Sequence, residues 1–166
     1  MRASISTPVT ALLQSKGITY DVIEIPLSED KKPIRSLEEL LTSKGLDPNS
    51  VVRSIVFKAD SGQYALLAVA GAGRADWGLL RAQLNERKLR MAEYEEVTEA
   101  TGYEVGAVPP IALPNSVRIL LDKGVLNHGI VVIGSGVLGY ALSLKGKDLL
   151  SLLTEADQGE FVKSAS

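Results

Sequence analysis

Apolar residues run along this chain in blocks of changing period, and glycine, proline or a capping residue marks most of the changes. Ser6–Lys16 is helical in pattern: Ser6 or Thr7 can cap it, Pro8 takes the first helical position and Gly17 stops it. Tyr20–Ile25 alternates as a strand does. Ser36-Leu37-Glu38-Glu39 has the form of a capping box and predicts a helix from about Leu37 to Lys44, stopped by Gly45. Val51–Lys58 and Gln63–Ala70 are β-rich runs joined by Asp60-Ser61-Gly62, a hairpin signal. Asp76 can cap a helix over Trp77–Glu86, which Gly78 weakens, and Glu93–Thr101 predicts another that ends at Gly102. Val117–Leu121 and Gly129–Ile133 read as β-branched strands. The glycines of Gly134–Gly139 turn the chain into a strand at Tyr140–Leu144. A short helix over Lys147–Leu153 precedes a Ser-rich end that is expected to fray. Hairpins and helices that do not alternate strictly predict an α+β fold with a mixed or largely antiparallel sheet.

The 166 residues fit one domain, 1–166, with no repeat, low-complexity tract or linker to divide it. With 45% apolar and 23% charged residues, the composition is that of a globular protein able to bury a core. The absence of cysteine excludes disulfides, thiolate metal sites and a cysteine nucleophile, and fits a reducing, cytoplasmic setting. Met1–Gly17 has no apolar core of signal-peptide length, and no run approaches the ~18 residues of a membrane span, so no membrane partner is expected. A net charge of −2 argues against non-specific coating of nucleic acid. Local basic groups exist at Arg81, Arg87, Lys88 and Arg90, and at Lys31, Lys32 and Arg35. They read either as phosphate contacts or as a solvated face.

Candidate chemistry concentrates in Thr101–Leu113, T-G-Y-E-V-G-A-V-P-P-I-A-L. Pro109 and Pro110 have fixed φ and no N–H, and Val108 before them is driven to an extended conformation. Gly106 permits positive φ or a close approach. A stiff loop with free N–H groups at Gly106, Ala107 and Val108 is expected. It reads as a binding wall or as a rigid helix-to-strand turn. Arg53-Ser54 in an apolar strand and the Gly134-Ser135-Gly136 turn are the other elements that could converge on it. His128 is the one histidine, has no G-x-S-x-G elbow beside any serine, and reads as a turn residue. No H-E-x-x-H and no carboxylate cluster with metal spacing occurs, so neither metal nor cofactor is expected. Gly71-Ala72-Gly73-Arg74-Ala75-Asp76 lacks the third glycine of a dinucleotide fingerprint and reads as a strand-to-helix turn.

The ordered set V-V-R-S-I-V-F-K, strand-Gly-x-x-R-x-D-helix, M-A-E-Y-E-E-V-T-E-A-T-G-Y-E-V-G-A-V-P-P-I-A-L, I-L-L-D and V-V-I-G-S-G-V-L-G-Y-A-L-S-L resembles the YbaK/ProX family over about residues 18–153. These are free-standing trans-editing aminoacyl-tRNA deacylases, related to the editing domain of bacterial prolyl-tRNA synthetases. The resemblance implies a curved, barrel-like sheet flanked by helices. It implies hydrolysis of the ester between a wrong small amino acid (alanine, cysteine or serine) and the 3′ end of a tRNA, typically proline tRNA. An aminoacyl-tRNA synthetase is a further candidate partner. Such a second sieve removes amino acids that a synthetase pocket cannot reject. The resemblance implies Arg53, Gly106, Ala107 and Val108 as catalytic residues, the loop N–H groups facing the ester oxygen. Ser54, Pro109, Pro110, Gly134, Ser135 and Gly136 are implied as substrate-binding. Water, assisted by the substrate's ribose hydroxyl, would be the nucleophile.

Arg53 departs from the family, which generally has lysine there. Arginine keeps the charge but cannot act as a base. Editing with an electrostatic arginine and a non-catalytic module that binds tRNA or an aminoacyl ligand both remain open. Lys58, five residues on, falls on the opposite strand face.

Overall fold

The caps visible in the sequence form the helix starts seen in the computed structural model, which describes residues 5–71 and 73–163. Thr7 caps α1 (Pro8–Ser15): the Thr10 N–H donates to Thr7 Oγ1 at 3.2 Å, and the Thr7 N–H donates to Thr10 Oγ1 at 2.9 Å. Ser36 caps α2 (Leu37–Ser43) by accepting from the Glu39 N–H at 3.1 Å. Asp76 does the same for α3 (Trp77–Leu84) through the Leu79 N–H. That helix stops two residues before the expected end, at Asn85, which takes a left-handed φ of 56°. Two further helices are α4 (Tyr94–Thr101), closed by Gly102 at φ 84°, and α5 (Gly146–Ser151).

The strands are β1 (Tyr20–Glu24), β2 (Val52–Ala59), β3 (Tyr64–Ala70), β4 (Leu89–Met91), β5 (Val117–Asp122), β6 (Ile130–Gly134), β7 (Tyr140–Lys145) and β8 (Asp157–Gly159). They form two sheets, ordered β1-β7-β6 and β4-β2-β3-β5-β8. The smaller sheet is antiparallel. The larger is mixed: β2 pairs antiparallel with β3 and β4, whereas β3–β5 and β5–β8 are parallel. The fold is therefore α+β, but the sheet does not close into the expected barrel. Among the described residues one parallel bridge, Val51 to Val132, links the two sheets along their backbones, and each keeps its own edges. The short strands β4 and β8 and the 3-10 turns Pro48–Ser50 and Lys123–Asn127 carry too few residues to show a period. The expected fraying end, from Ser164 on, lies outside the described residues, as does Ala72 of the turn between β3 and α3.

Both faces of the larger sheet are covered, so its strands are apolar almost throughout. Val52 and Val56 of β2 enter the main core with Val97, Tyr103, Ile111 and Ile133. The alternate residue Phe57 enters a second cluster with Leu67, Leu80 and Phe161, its ring edge-on to Trp77 at a centroid distance of 5.0 Å. Burying a side chain such as Phe57 fully contributes about 1.5–3 kcal/mol. The two-faced burial fixes which β2 side chains turn toward α4 and the Gly-Pro loop. Val52, Ser54, Val56 and Lys58 share that face, while Arg53, Ile55 and Phe57 share the other.

Candidate active site

The Gly-Pro loop is held from both ends and from behind. Thr101 Oγ1 donates to the Val97 carbonyl at 2.7 Å and accepts from the Tyr103 N–H at 3.1 Å. The buried Tyr103 hydroxyl donates to the Ala112 carbonyl at 2.7 Å, which ties the loop's start to its end. Burial raises the pKa of that phenol and keeps it neutral, as a donor. Gly106 has φ 98°, a conformation that disfavours any other residue. Gly134 lies directly behind the loop: a Cβ there would sit 2.7 Å from the Val108 carbonyl carbon and 2.9 Å from the Ala107 oxygen. The Gly136 N–H donates to the Ala107 carbonyl at 2.9 Å. The two glycine elements that the sequence leaves about thirty residues apart are thus one packed unit.

In front of this unit is a cavity of about 350 Å³, bounded by β2, the ends of β6 and β7, and the start of α4. Of the residues expected at the site, Arg53, Ser54, Gly106, Val108 and Gly134 line it together. The others stand behind the wall. The Ala107 N–H is not free, because it donates to the Glu104 carbonyl at 3.0 Å in a tight turn, and Ala107 is buried. Pro109 and Pro110 are buried and do not line this cavity; Pro110 borders a separate groove, and both fix the backbone of the wall. Ser135 is fully buried and donates to the Val137 and Tyr140 carbonyls. Gly136 packs against Tyr103, Thr7 and Val9. No hydrogen bond engages the N–H of Gly106 or Val108 among the described residues. These are the donors that remain from the expected three.

Arg53 borders the cavity, but its guanidinium is already occupied. Nε donates to the Gly71 carbonyl at 2.7 Å and Nη2 to the Gly73 carbonyl, so the cation clamps the turn that follows β3. Ser54 differs: its Oγ is the one buried side-chain N or O atom among the described residues with no hydrogen-bond partner in the protein. Its main chain also faces the cavity. Bonds from Gly71 N to Val51 O and from Ala59 N to Gln63 O set the alternation with β3, so Val52, Ser54 and Val56 direct their backbone groups to the other edge. On that edge β4 pairs from Phe57 onward and the Ala92 N–H donates to the Val56 carbonyl at 3.0 Å, two residues past Ser54.

Sequence reasoning missed the apolar lining and rim. Ile25, Leu37, Val97 and Ile133 come from four separate stretches of the chain, and their meeting is not written in any local pattern. Met91, Tyr94 and Val105 form an exposed rim, with Tyr94 74% exposed at the start of α4.

Beside the rim, Glu96 holds two cations. Its carboxylate accepts from Arg90 at 2.6 and 2.8 Å and pairs with Lys58 at 2.9 Å. These bonds, with the Glu93 N–H, hold the Glu96 carboxyl far below the usual carboxylate range, and the same carboxylate raises Lys58 and Arg90. Lys58 also lies 5.3 Å from the Tyr64 ring centroid. It is on the face opposite Arg53, as alternation requires, and is committed to Glu96. His128 is elsewhere, at the end of the second 3-10 turn, with Nδ1 3.8 Å from Asp47. It lines a different pocket. Among the described residues no helix is long and apolar enough to cross a membrane.

The family model for the aminoacyl-tRNA editing domain matches residues 31–152. The proline–tRNA ligase of Thermosipho melanesiensis is 31% identical over 107 residues, which is 64% of this chain and 19% of the ligase. The ligase of Thermoanaerobacter sp. strain X514 is 28% identical over 127 residues, 74% of this chain and 22% of the ligase. The chain spans about a fifth of the length of these curated relatives. Among solved structures, a proposed trans-editing enzyme for prolyl tRNA synthetase superimposes with a TM-score of 0.77 at 27% identity, covering 97% of this chain and all of that one. A hypothetical protein superimposes with a TM-score of 0.79 at 24% identity, covering 95% and 100%, and shares the fold.

Proposed function

The chain belongs to the aminoacyl-tRNA editing domain family, and from that premise we propose that it hydrolyses the ester of a mischarged aminoacyl-tRNA, proline tRNA carrying alanine, cysteine or serine. The observation that carries this reading is the wall of the 350 Å³ cavity, where the N–H groups of Gly106 and Val108 are unengaged and the loop bearing them is packed on Gly134. Two preorganised donors of this kind suit an ester oxygen that gains charge. Losing one such donor typically costs 10²–10³ in rate, about 2.7–4 kcal/mol.

In the proposed reaction, water attacks the ester carbonyl carbon with help from the neighbouring ribose hydroxyl. The oxygen that becomes negative lies against the Gly106 and Val108 N–H groups. Collapse breaks the bond to the ribose oxygen, which takes a proton, and the free amino acid leaves. The apolar walls, Ile25, Leu37, Val97 and Ile133, fit a small side chain. The volume limits what enters, as a second sieve requires. Arg53 contributes as a fixed positive charge at the border and not as a base. The test is release of amino acid from proline tRNA charged with alanine, cysteine or serine by the purified protein. Acceleration of none of the three rejects these substrates.

One observation favours a second reading, a module that binds the tRNA end without turnover. The Arg53 guanidinium is spent on the Gly71 and Gly73 carbonyls, where the family generally has lysine. That reading predicts binding of the charged end with no deacylation, and ordinary turnover dismisses it.

A further inference from the structure

We infer that Ser54 Oγ receives the α-amino group of the bound aminoacyl moiety, so that the site recognises a free α-amino group and not the ester alone. The inference rests on the reading of the cavity as an aminoacyl site. A buried hydroxyl left unpaired costs about 1–3 kcal/mol, and native proteins keep few of them. The other buried hydroxyls of this loop and the turn behind it are satisfied: Thr101 on Val97, Tyr103 on Ala112, and Ser135 on Val137 and Tyr140. Ser54 Oγ is the exception among the described residues, and it lies on the β2 face of Val52 and Val56, which turn toward the cavity.

The surroundings select a donor over an anion. Among the described residues the one cation lining the cavity, Arg53, has its guanidinium on two carbonyls and is not free to hold an anion. Lys58, on the face of Ser54, is neutralised by Glu96. An amino group entering here meets no competing free cation, and finds Ser54 Oγ with the outward Ser54 carbonyl as acceptors. The division of labour follows the chemistry of an aminoacyl ester. Its carbonyl oxygen needs donors, which Gly106 and Val108 supply. Its amino group, one carbon away, needs an acceptor within the same cavity.

The test uses two non-hydrolysable probes, adenosine carrying alanine or propionate in amide linkage at the 3′ position. They differ only in the α-amino group. Wild-type protein is expected to bind the alanyl probe about tenfold or more tightly than the propionyl probe, and Ser54→Ala to abolish that preference while leaving propionyl binding within twofold. Ser54→Thr, which keeps a hydroxyl, should retain the preference. Equal weakening of both probes by Ser54→Ala, an unaltered preference, or no binding of either probe overturns the inference. Because the readout is binding, absent turnover with an intact Ser54-dependent preference refutes the deacylase reading alone. Turnover without that preference refutes the role of Ser54 alone.

Discussion

Gly134→Ala tests whether the wall of the site depends on the turn behind it. A Cβ at this position would sit 2.7 Å from the Val108 carbonyl carbon and 2.9 Å from the Ala107 oxygen, both backbone atoms that no side-chain rotation can move. Ordinary contact begins at 3.4 Å and the Val108 carbonyl oxygen lies closer still than its carbon, so the loop must retreat by about 1 Å or the β6 end must shift by as much. Overpacking of this kind costs about 1–3 kcal/mol. In a domain of this size each kcal/mol lowers Tm by about 2–4 °C. The larger effect is expected on the reaction. A displacement approaching 1 Å at a positioned group costs up to about 10²-fold, and it moves the Gly106 and Val108 donors together. The assay is single-turnover deacylation of mischarged proline tRNA with enzyme in excess, alongside thermal unfolding. Gly129→Ala is the control: it has nothing within 4 Å of its added Cβ and should change neither quantity. A Gly134→Ala protein with lowered Tm but a wild-type rate at saturation would refute the claim that this contact sets the catalytic wall.

Arg53→Ala removes the donor shared by the Gly71 and Gly73 carbonyls. It should lower Tm by several degrees as well as deacylation, and an unchanged Tm would show that the clamp contributes nothing. His128→Ala should leave the deacylation rate within twofold, because His128 lines a different pocket beside Asp47; a large loss would move the chemistry there. Glu96→Gln tests the ion cluster through pH. The Glu96 carboxyl is depressed in the folded state, so its contribution is complete above the unfolded value of about 4.3 and is lost as pH falls toward the folded one. The Tm difference between wild type and Glu96→Gln should therefore be full at about pH 7 and narrower at about pH 3; an equal gap at both would contradict this pairing.

Much of the fold was legible because its signals are local. Thr7, Ser36 and Asp76 cap helices through their own side chains within three residues, and Gly102 ends α4 through a positive φ that glycine accepts. The stiffness of Val108-Pro109-Pro110 follows from ring closure alone. The expected barrel was not local information: whether two sheets close depends on edge pairing between distant strands, and among the described residues their edges pair at a single bridge.

The sequence by itself determined the types of the longer elements, the α+β class and the proline-fixed backbone of the Gly-Pro loop, since capping, proline geometry and apolar period act over a few residues. Tertiary structure alone decided which groups face the cavity. Ala107 lost its N–H to Glu104, and Ser135 and Gly136 became the loop's support, because the turn after β6 packs behind it. Arg53 turned to Gly71 and Gly73, residues brought near by the β2–β3 pairing, while Ser54, one residue on, took the opposite face and kept its hydroxyl unpaired. A strand's alternation is written in the sequence, but which face meets the ligand depends on what packs against the other.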